Sequence, residues 1–168
     1  VHPDSINDVY CLPDEADETT GAYVSQFGST ERTGGLLQDS REQPLPVMKS
    51  LEGRNRQGVR YSWVFPNMTF AAGADAVWVY ETYPVGPGRC RVGMTACFAP
   101  ETVAMADFEA RVQPYYKRLD EAIAEDIPAL EDQQTGLASD YARQGRFSPL
   151  LEANVAGFAR WYAGQMAP

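Results

Sequence analysis

Between Gly58 and Phe98 the side chains repeatedly alternate in character with a period of two, and this limits the fold more than any other feature of the chain. Val59, Tyr61, Trp63 and Phe65 line one face of Gly58–Phe65, with Arg60 and Ser62 on the other. Successive side chains of a strand point to opposite faces, so this run reads as a half-buried strand. Pro66-Asn67 marks a break, and Met68–Ala71 resumes pairing. Gly73-Ala74-Asp75 reads as a turn into Ala76–Tyr83, where Trp78 and Tyr80 oppose Val77 and Val79. Pro84-Val85-Gly86-Pro87-Gly88 is a second turn, leading into Arg89–Phe98. Short connections between such strands predict an antiparallel meander. Ala22–Phe27 predicts a further short strand. The aromatic stripes suit a packed core better than a cofactor box, although a face spared from packing would leave a cavity.

Helical patterning is confined to the end of the chain. Val103, Phe108, Val112, Tyr115, Tyr116, Leu119 and Ile123 suit an amphipathic helix, with Pro114 placing a kink inside it. Leu151, Val155, Phe158 and Tyr162 are spaced four, three and four residues apart and predict a closing helix, with Trp161 beside the stripe. Strands followed by helices make an α+β pattern. Two stretches lack periodicity. Asn7–Thr20 is acidic and reads as a solvated loop. Gly28–Arg56 is long and irregular, and Leu36, Leu37, Val47, Met48 and Leu51 either anchor it or cover a pocket.

The 168 residues suffice for one domain with a real core, and 44% apolar content makes disorder a poor default. A net charge of −9 with 14 basic residues argues against nucleic acid and against anionic membrane surfaces. No apolar run approaches the ~20 residues of a spanning helix, and Asp75 interrupts the best candidate, around Phe70–Tyr80. Cys11, Cys90 and Cys97 are odd in number and widely spaced. They read as reduced thiols of a cytoplasmic protein rather than a disulfide framework.

The stretch that carries chemistry is Glu125–Ser139. Leu130, Gln134 and Leu137 follow Asp126 at four, eight and eleven residues, so all lie along one helical stripe. Pro128 frees the carbonyl of Ala124 if it sits mid-helix but is tolerated in a first turn, which predicts a break near Glu125 with Asp126 heading a new helix. A carboxylate there is either an N-cap or a metal ligand. The chain's one histidine, His2, stands in Val1-His2-Pro3 at the opposite end.

Together these residues resemble the large-subunit family of Rieske-type non-haem iron oxygenases, which hydroxylate rings or demethylate amines and ethers. Glu125, Asp126, Glu131, Gln134, Gly136 and Leu137 match that family's downstream pattern, and His2-Pro3 matches the end of its histidine pair. Phe65-Pro66-Asn67, the Tyr83–Pro87 turn, Gly145-x-x-Ser148-Pro149-x-x-Glu152 and Phe158-x-x-Trp161 extend the resemblance over nearly the whole chain. The resemblance implies a helix-grip fold of the START and Bet v 1 type, a curved antiparallel sheet with C-terminal helices. It implies that His2 and Asp126 are catalytic iron ligands in a 2-His-1-carboxylate site. Two imidazoles and one carboxylate on one face of Fe(II) leave the other face open for dioxygen and substrate.

By the same resemblance, residues 1–168 are a single oxygenase catalytic domain truncated at its N-terminus, lacking the Rieske domain and the first histidine ligand. No Cys-x-His or Cys-x-x-His pair is present to hold an iron–sulfur cluster. The implied cofactors are mononuclear Fe(II), a Rieske [2Fe–2S] cluster outside these residues, and NAD(P)H through a separate reductase. The implied partners are a small aromatic or quaternary-amine substrate, dioxygen and a ferredoxin or reductase, within a homotrimer of the full-length protein. The chain alone is expected to be inactive. Trp63 and Trp78 would serve either an aromatic ring or a cationic ammonium group. The alternative is an iron-free helix-grip carrier for an apolar ligand. A hydrolase with His2 as base fits poorly, since no Gly-x-Ser-x-Gly elbow exists.

Overall fold

The computed structural model describes residues 12–16, 20–37, 39–143 and 145–167. Six strands form one antiparallel sheet in sequence order: β1 (Leu12–Ala16), β2 (Tyr23–Ser29), β3 (Gly58–Val64), β4 (Met68–Ala72), β5 (Val77–Gly86) and β6 (Arg89–Cys97). A short 3₁₀ turn, Gly53–Arg56, precedes β3. Four helices follow: α1 (Pro100–Val103), α2 (Phe108–Arg111), α3 (Gln113–Leu137) and α4 (Ala153–Met166). This is the α+β architecture that the strand-then-helix order predicts, helix-grip-like as the resemblance implies, with an open sheet followed by C-terminal helices.

The register decides which side chains meet. Val24, Trp63, Thr69, Tyr80 and Met94 pair in a row across the sheet, and Gln26, Tyr61, Ala71, Trp78 and Ala96 form the next row on the same face. Helices cover this inner face at both ends of the sheet. Tyr115 and Leu119 of α3 join Trp78, Ala76, Phe108 and Val112 in the buried core. At the β2–β3 side, Phe158 of α4 stacks on Trp63 with ring centroids 4.3 Å apart, and Phe65 meets both Phe158 and Trp161 edge-on or tilted. The closing helix therefore meets the sheet through Phe158, half-buried, and Trp161, while the other residues of the expected stripe, Leu151, Val155 and Tyr162, stay exposed.

Four local features differ from the sequence expectation. Residues 12–16, read as acidic loop, form the edge strand β1. An edge strand needs ladder hydrogen bonds on one side alone, and charged residues there discourage pairing with other chains. Here Glu15 forms an ion pair with Arg60 at 3.2 Å. Strand β5 continues through Pro84 to Gly86, because a register irregularity between them removes the need for a regular ladder N–H. The turn itself narrows to Pro87-Gly88, with Gly88 at φ +67°. Pro114 lies in the first turn of α3, where no intrahelical N–H is required, and the segment before it divides into the short α1 and α2.

The fourth difference is Pro128, which lies inside α3 rather than at a helix start, so no break occurs near Glu125. From Ala124 onward the helix is exposed, and water can hydrate the carbonyl that Pro128 leaves without an N–H.

The irregular segment between β2 and β3 is strapped down at several points. Leu36 and Leu45 are buried in the core and anchor this loop, Leu45 being an anchor the sequence did not single out, while Val47 is exposed. The Met48 N–H donates to the Ala74 carbonyl at 2.8 Å, and the Arg111 guanidinium donates to the Pro44 carbonyl at 2.6 Å.

Candidate functional site

Helix α3 organises the candidate site. At 1.5 Å per residue its 25 residues span roughly 38 Å. Its inward stripe, Tyr115, Leu119 and Ile123, is held by the core. The same stripe continues as Asp126, Leu130, Gln134 and Leu137 by helical spacing, yet Leu130 is 60% and Leu137 64% exposed. Asp126 thus sits one turn past the last core contact of the stripe, on an exposed part of the helix.

Lying mid-helix, Asp126 cannot be the N-cap that the sequence left open. Among the described residues no ion pair uses its carboxylate. Its charge is felt by Tyr80 of β5. Burial raises the Tyr80 hydroxyl above the usual tyrosine range, Arg118 opposes that shift, and Asp126 adds to it. Arg118 and Asp126 of α3 thus act on the Tyr80 hydroxyl of β5 with opposite electrostatic signs. Further along, the β5–β6 turn leans toward the same helix: a Cβ on Gly88 would come 3.9 Å from the Gln134 side-chain amide.

Beside α3 lies a cavity of about 840 Å³, walled by Tyr61 and Val59 of β3, Leu36 and Thr33 of the strapped loop, and Arg118. The volume falls in the range of small-molecule sites. Trp63 and Trp78 are spent on packing, the first against Phe158 and the second within the core, so neither forms a free aromatic cage.

A buried polar node holds the loop that roofs this cavity. The Asp75 carboxylate is 2% exposed, accepts a hydrogen bond from the Thr33 hydroxyl at 2.6 Å and accepts a second from the Tyr115 hydroxyl. That hydroxyl in turn accepts from the Leu45 N–H at 2.9 Å. Desolvation raises the Asp75 carboxyl above its ordinary range, against the pull of its hydrogen bonds. Burial and the neighbouring Asp75 charge push the Tyr115 hydroxyl up as well. The same ring fixes the loop's backbone path, because a Cβ on Gly35 would overlap Tyr115.

Of the two sequence-predicted ligands, Asp126 is placed as described and His2 lies outside the described residues. Among the described residues no group of three or more His, Cys, Asp or Glu side chains converges to hold a metal ion. Cys90 and Cys97 are free and exposed, and Cys11 lies outside the described residues. No helix among the described residues is long and apolar enough to cross a membrane. Tyr80 and Arg118 were not singled out by sequence as site residues. The available signal was Arg118 standing two turns before Asp126 on a helix whose inner stripe was already legible.

The family model for the ring hydroxylating alpha subunit (catalytic domain) matches residues 2–168, a span that includes both His2 and Asp126. No curated protein matches the chain.

Proposed function

Given that the chain belongs to the family of ring-hydroxylating alpha-subunit catalytic domains, we propose that it holds a mononuclear ferrous ion through His2 and Asp126 and oxygenates a small organic substrate. The observation that carries this reading is the position of Asp126. It is a carboxylate fixed mid-helix, free of any capping duty, and one turn past the last core contact of α3. A hard oxygen donor of this kind suits divalent iron together with imidazole nitrogen. When bound there, iron supplies dioxygen activation, with electrons delivered from a Rieske centre fed by a separate reductase.

The chain's own residues contribute binding and orientation. Leu36, Val59 and Tyr61 give the cavity an apolar wall against which a substrate ring can lie. Tyr80, its hydroxyl raised above the usual tyrosine range by burial, keeps its proton at neutral pH and can donate a hydrogen bond. The Asp75–Tyr115–Thr33 node holds the roof loop in place and so limits water at the cavity.

The test is Asp126→Ala in the iron-loaded full-length protein supplied with its electron donor. Iron stoichiometry and turnover are expected to be lost. Stability should be unchanged or higher by about 0.5 kcal/mol, because alanine is the better helix former at an exposed mid-helix position. Unchanged iron content would remove Asp126 from the site, whereas a native protein that takes up no iron would favour an iron-free carrier instead.

A further inference from the structure

The two edges of the sheet are built differently. An edge strand presents a row of unpaired N–H and C=O groups, and proteins blunt such edges with short length, proline, charge or a bulge. Strand β1 combines these devices. It has five residues, includes Pro13, Asp14 and Glu15, and its register with β2 shifts between Pro13 and Glu15. Strand β6, the opposite edge, is nine residues long, contains neither proline nor carboxylate, and keeps a regular register with β5 from Cys90 to Cys97. Most of it is exposed, and among the described residues no further strand pairs with its outer side. Its two charged residues, Arg89 and Arg91, stand at the turn end. Arg91 lies over the Tyr83 ring of β5 at 5.5 Å, folded back along the sheet rather than across the edge.

The strand is also complementary to itself. Pairing all nine residues antiparallel with a second β6 puts the middle residue, Gly93, on a two-fold axis. Val92 then stands opposite Met94, Arg91 opposite Thr95 and Arg89 opposite Cys97, each pair occurring twice, so no like charges oppose. Val92 and Met94 share the inner face of the sheet and are exposed in a single copy. Pairing sets them against each other as cross-strand neighbours. Gly93 fits the same arrangement. A Cβ there would meet the Tyr83 ring at 3.7 Å and the Glu81 carbonyl at 3.9 Å, both ordinary contacts, so the chain's own packing does not call for glycine. Glycine inside a strand marks places where another backbone approaches closely. On the axis, where a residue must face its own copy, it lets the two backbones meet with no side chains between them.

We propose that β6 is an interface to a second copy of this chain, the two strands pairing antiparallel about Gly93 and joining two six-stranded sheets into one. The contact is isologous, so it links copies in pairs and then closes. It is separate from the three-fold contact that the family resemblance implies, and it doubles whatever assembly that contact makes.

The test is sedimentation velocity of the protein over about a hundredfold range of concentration, which displaces a mass-action dimer from largely dissociated to largely paired. The native protein should pass reversibly from its smallest assembly to one of twice that mass. Thr95 is exposed on β6 and faces Arg91 of the other copy in this register, so its charge variants report the pairing without touching the core. Thr95→Glu should tighten the doubling by about two- to thirtyfold, since two opposite-charge cross-strand pairs are gained at once. Thr95→Arg should weaken it by a similar factor, because like charges then oppose. Hydrogen exchange should show the outward amides of β6 gaining protection as concentration rises. A single mass at every concentration would overturn the proposal, including the case where β6 amides are protected throughout because another segment of the same chain covers them. Doubling that ignores both Thr95 variants would assign the contact to a different surface and overturn it equally.

Discussion

Replacing Tyr115 by phenylalanine isolates what the buried polar node contributes to stability. The ring, fully buried and tilted against Trp78 at 6.3 Å, stays in the core, so packing is preserved. Only the hydroxyl is lost, and with it two hydrogen bonds. One is its donation to the Asp75 carboxylate, and the other is its acceptance from the Leu45 N–H. Leu45 and Asp75 are each 2% exposed, so water cannot readily replace either partner. A buried group left unsatisfied costs about 1–3 kcal/mol, more when charged, while Asp75 keeps the Thr33 hydroxyl as partial compensation. The two losses share one oxygen and are not additive, which places the net effect at about 2–4 kcal/mol. That is a large part of a typical domain's total of about 5–15 kcal/mol. Urea unfolding should show a lower midpoint with an unchanged slope. The Leu45 amide should exchange faster with solvent, as the strap loosens locally before the sheet does. A loss below about 0.5 kcal/mol with unchanged Leu45 protection would refute the node as the fastening of this loop.

Two further outcomes follow from the same packing. Phe158→Ala should cost about 1.5–3 kcal/mol by urea unfolding. This is less than the ~3–5 kcal/mol of a fully buried phenylalanine, because Phe158 is half-exposed while stacked on Trp63. A neutral result would mean that α4 does not hold the β2–β3 end of the sheet. The pH dependence of Asp75 has a definite sign. Its folded pKa is raised above 3.8 by burial, so its contribution is present in full below that value and is lost as pH rises through the folded pKa. Unfolding midpoints of the native protein, measured relative to Asp75→Asn from about pH 4 to about pH 7, should therefore fall with rising pH. A relative rise would show that the bonds from Thr33 and Tyr115 outweigh desolvation.

The inner face was legible because its rows combine large aromatics with strict alternation, as in Val59, Tyr61 and Trp63. Burial of one face writes itself into a period of two. Strand β1 was not legible, because an edge strand is fixed by backbone pairing and its acidic side chains carry a loop's composition. The helical stripe that carries Asp126 was legible from its spacing, but the continuity of α3 through Pro128 depends on solvent access at Ala124, which no spacing encodes. Asp75 was read as a turn residue. Its partners, Thr33 and Tyr115, are distant in sequence, so only the folded chain brings the node together. Arg118 was hidden for a related reason: its neighbours across the cavity come from β3 and the long loop.

The half-supported state of α3 has a mechanical meaning. A rod gripped at one end is stiff near the grip, and its deflection grows with distance from it. Ile123 is the last residue of the stripe packed on the core, and the 14 residues from Ala124 to Leu137 extend roughly 21 Å beyond it. Asp126 stands only about 4.5 Å past the grip along the axis, so its carboxylate shares the positional precision of the core. Leu137 lies farthest from the grip. Whatever comes to rest on that outer length can bend it while the carboxylate stays nearly still.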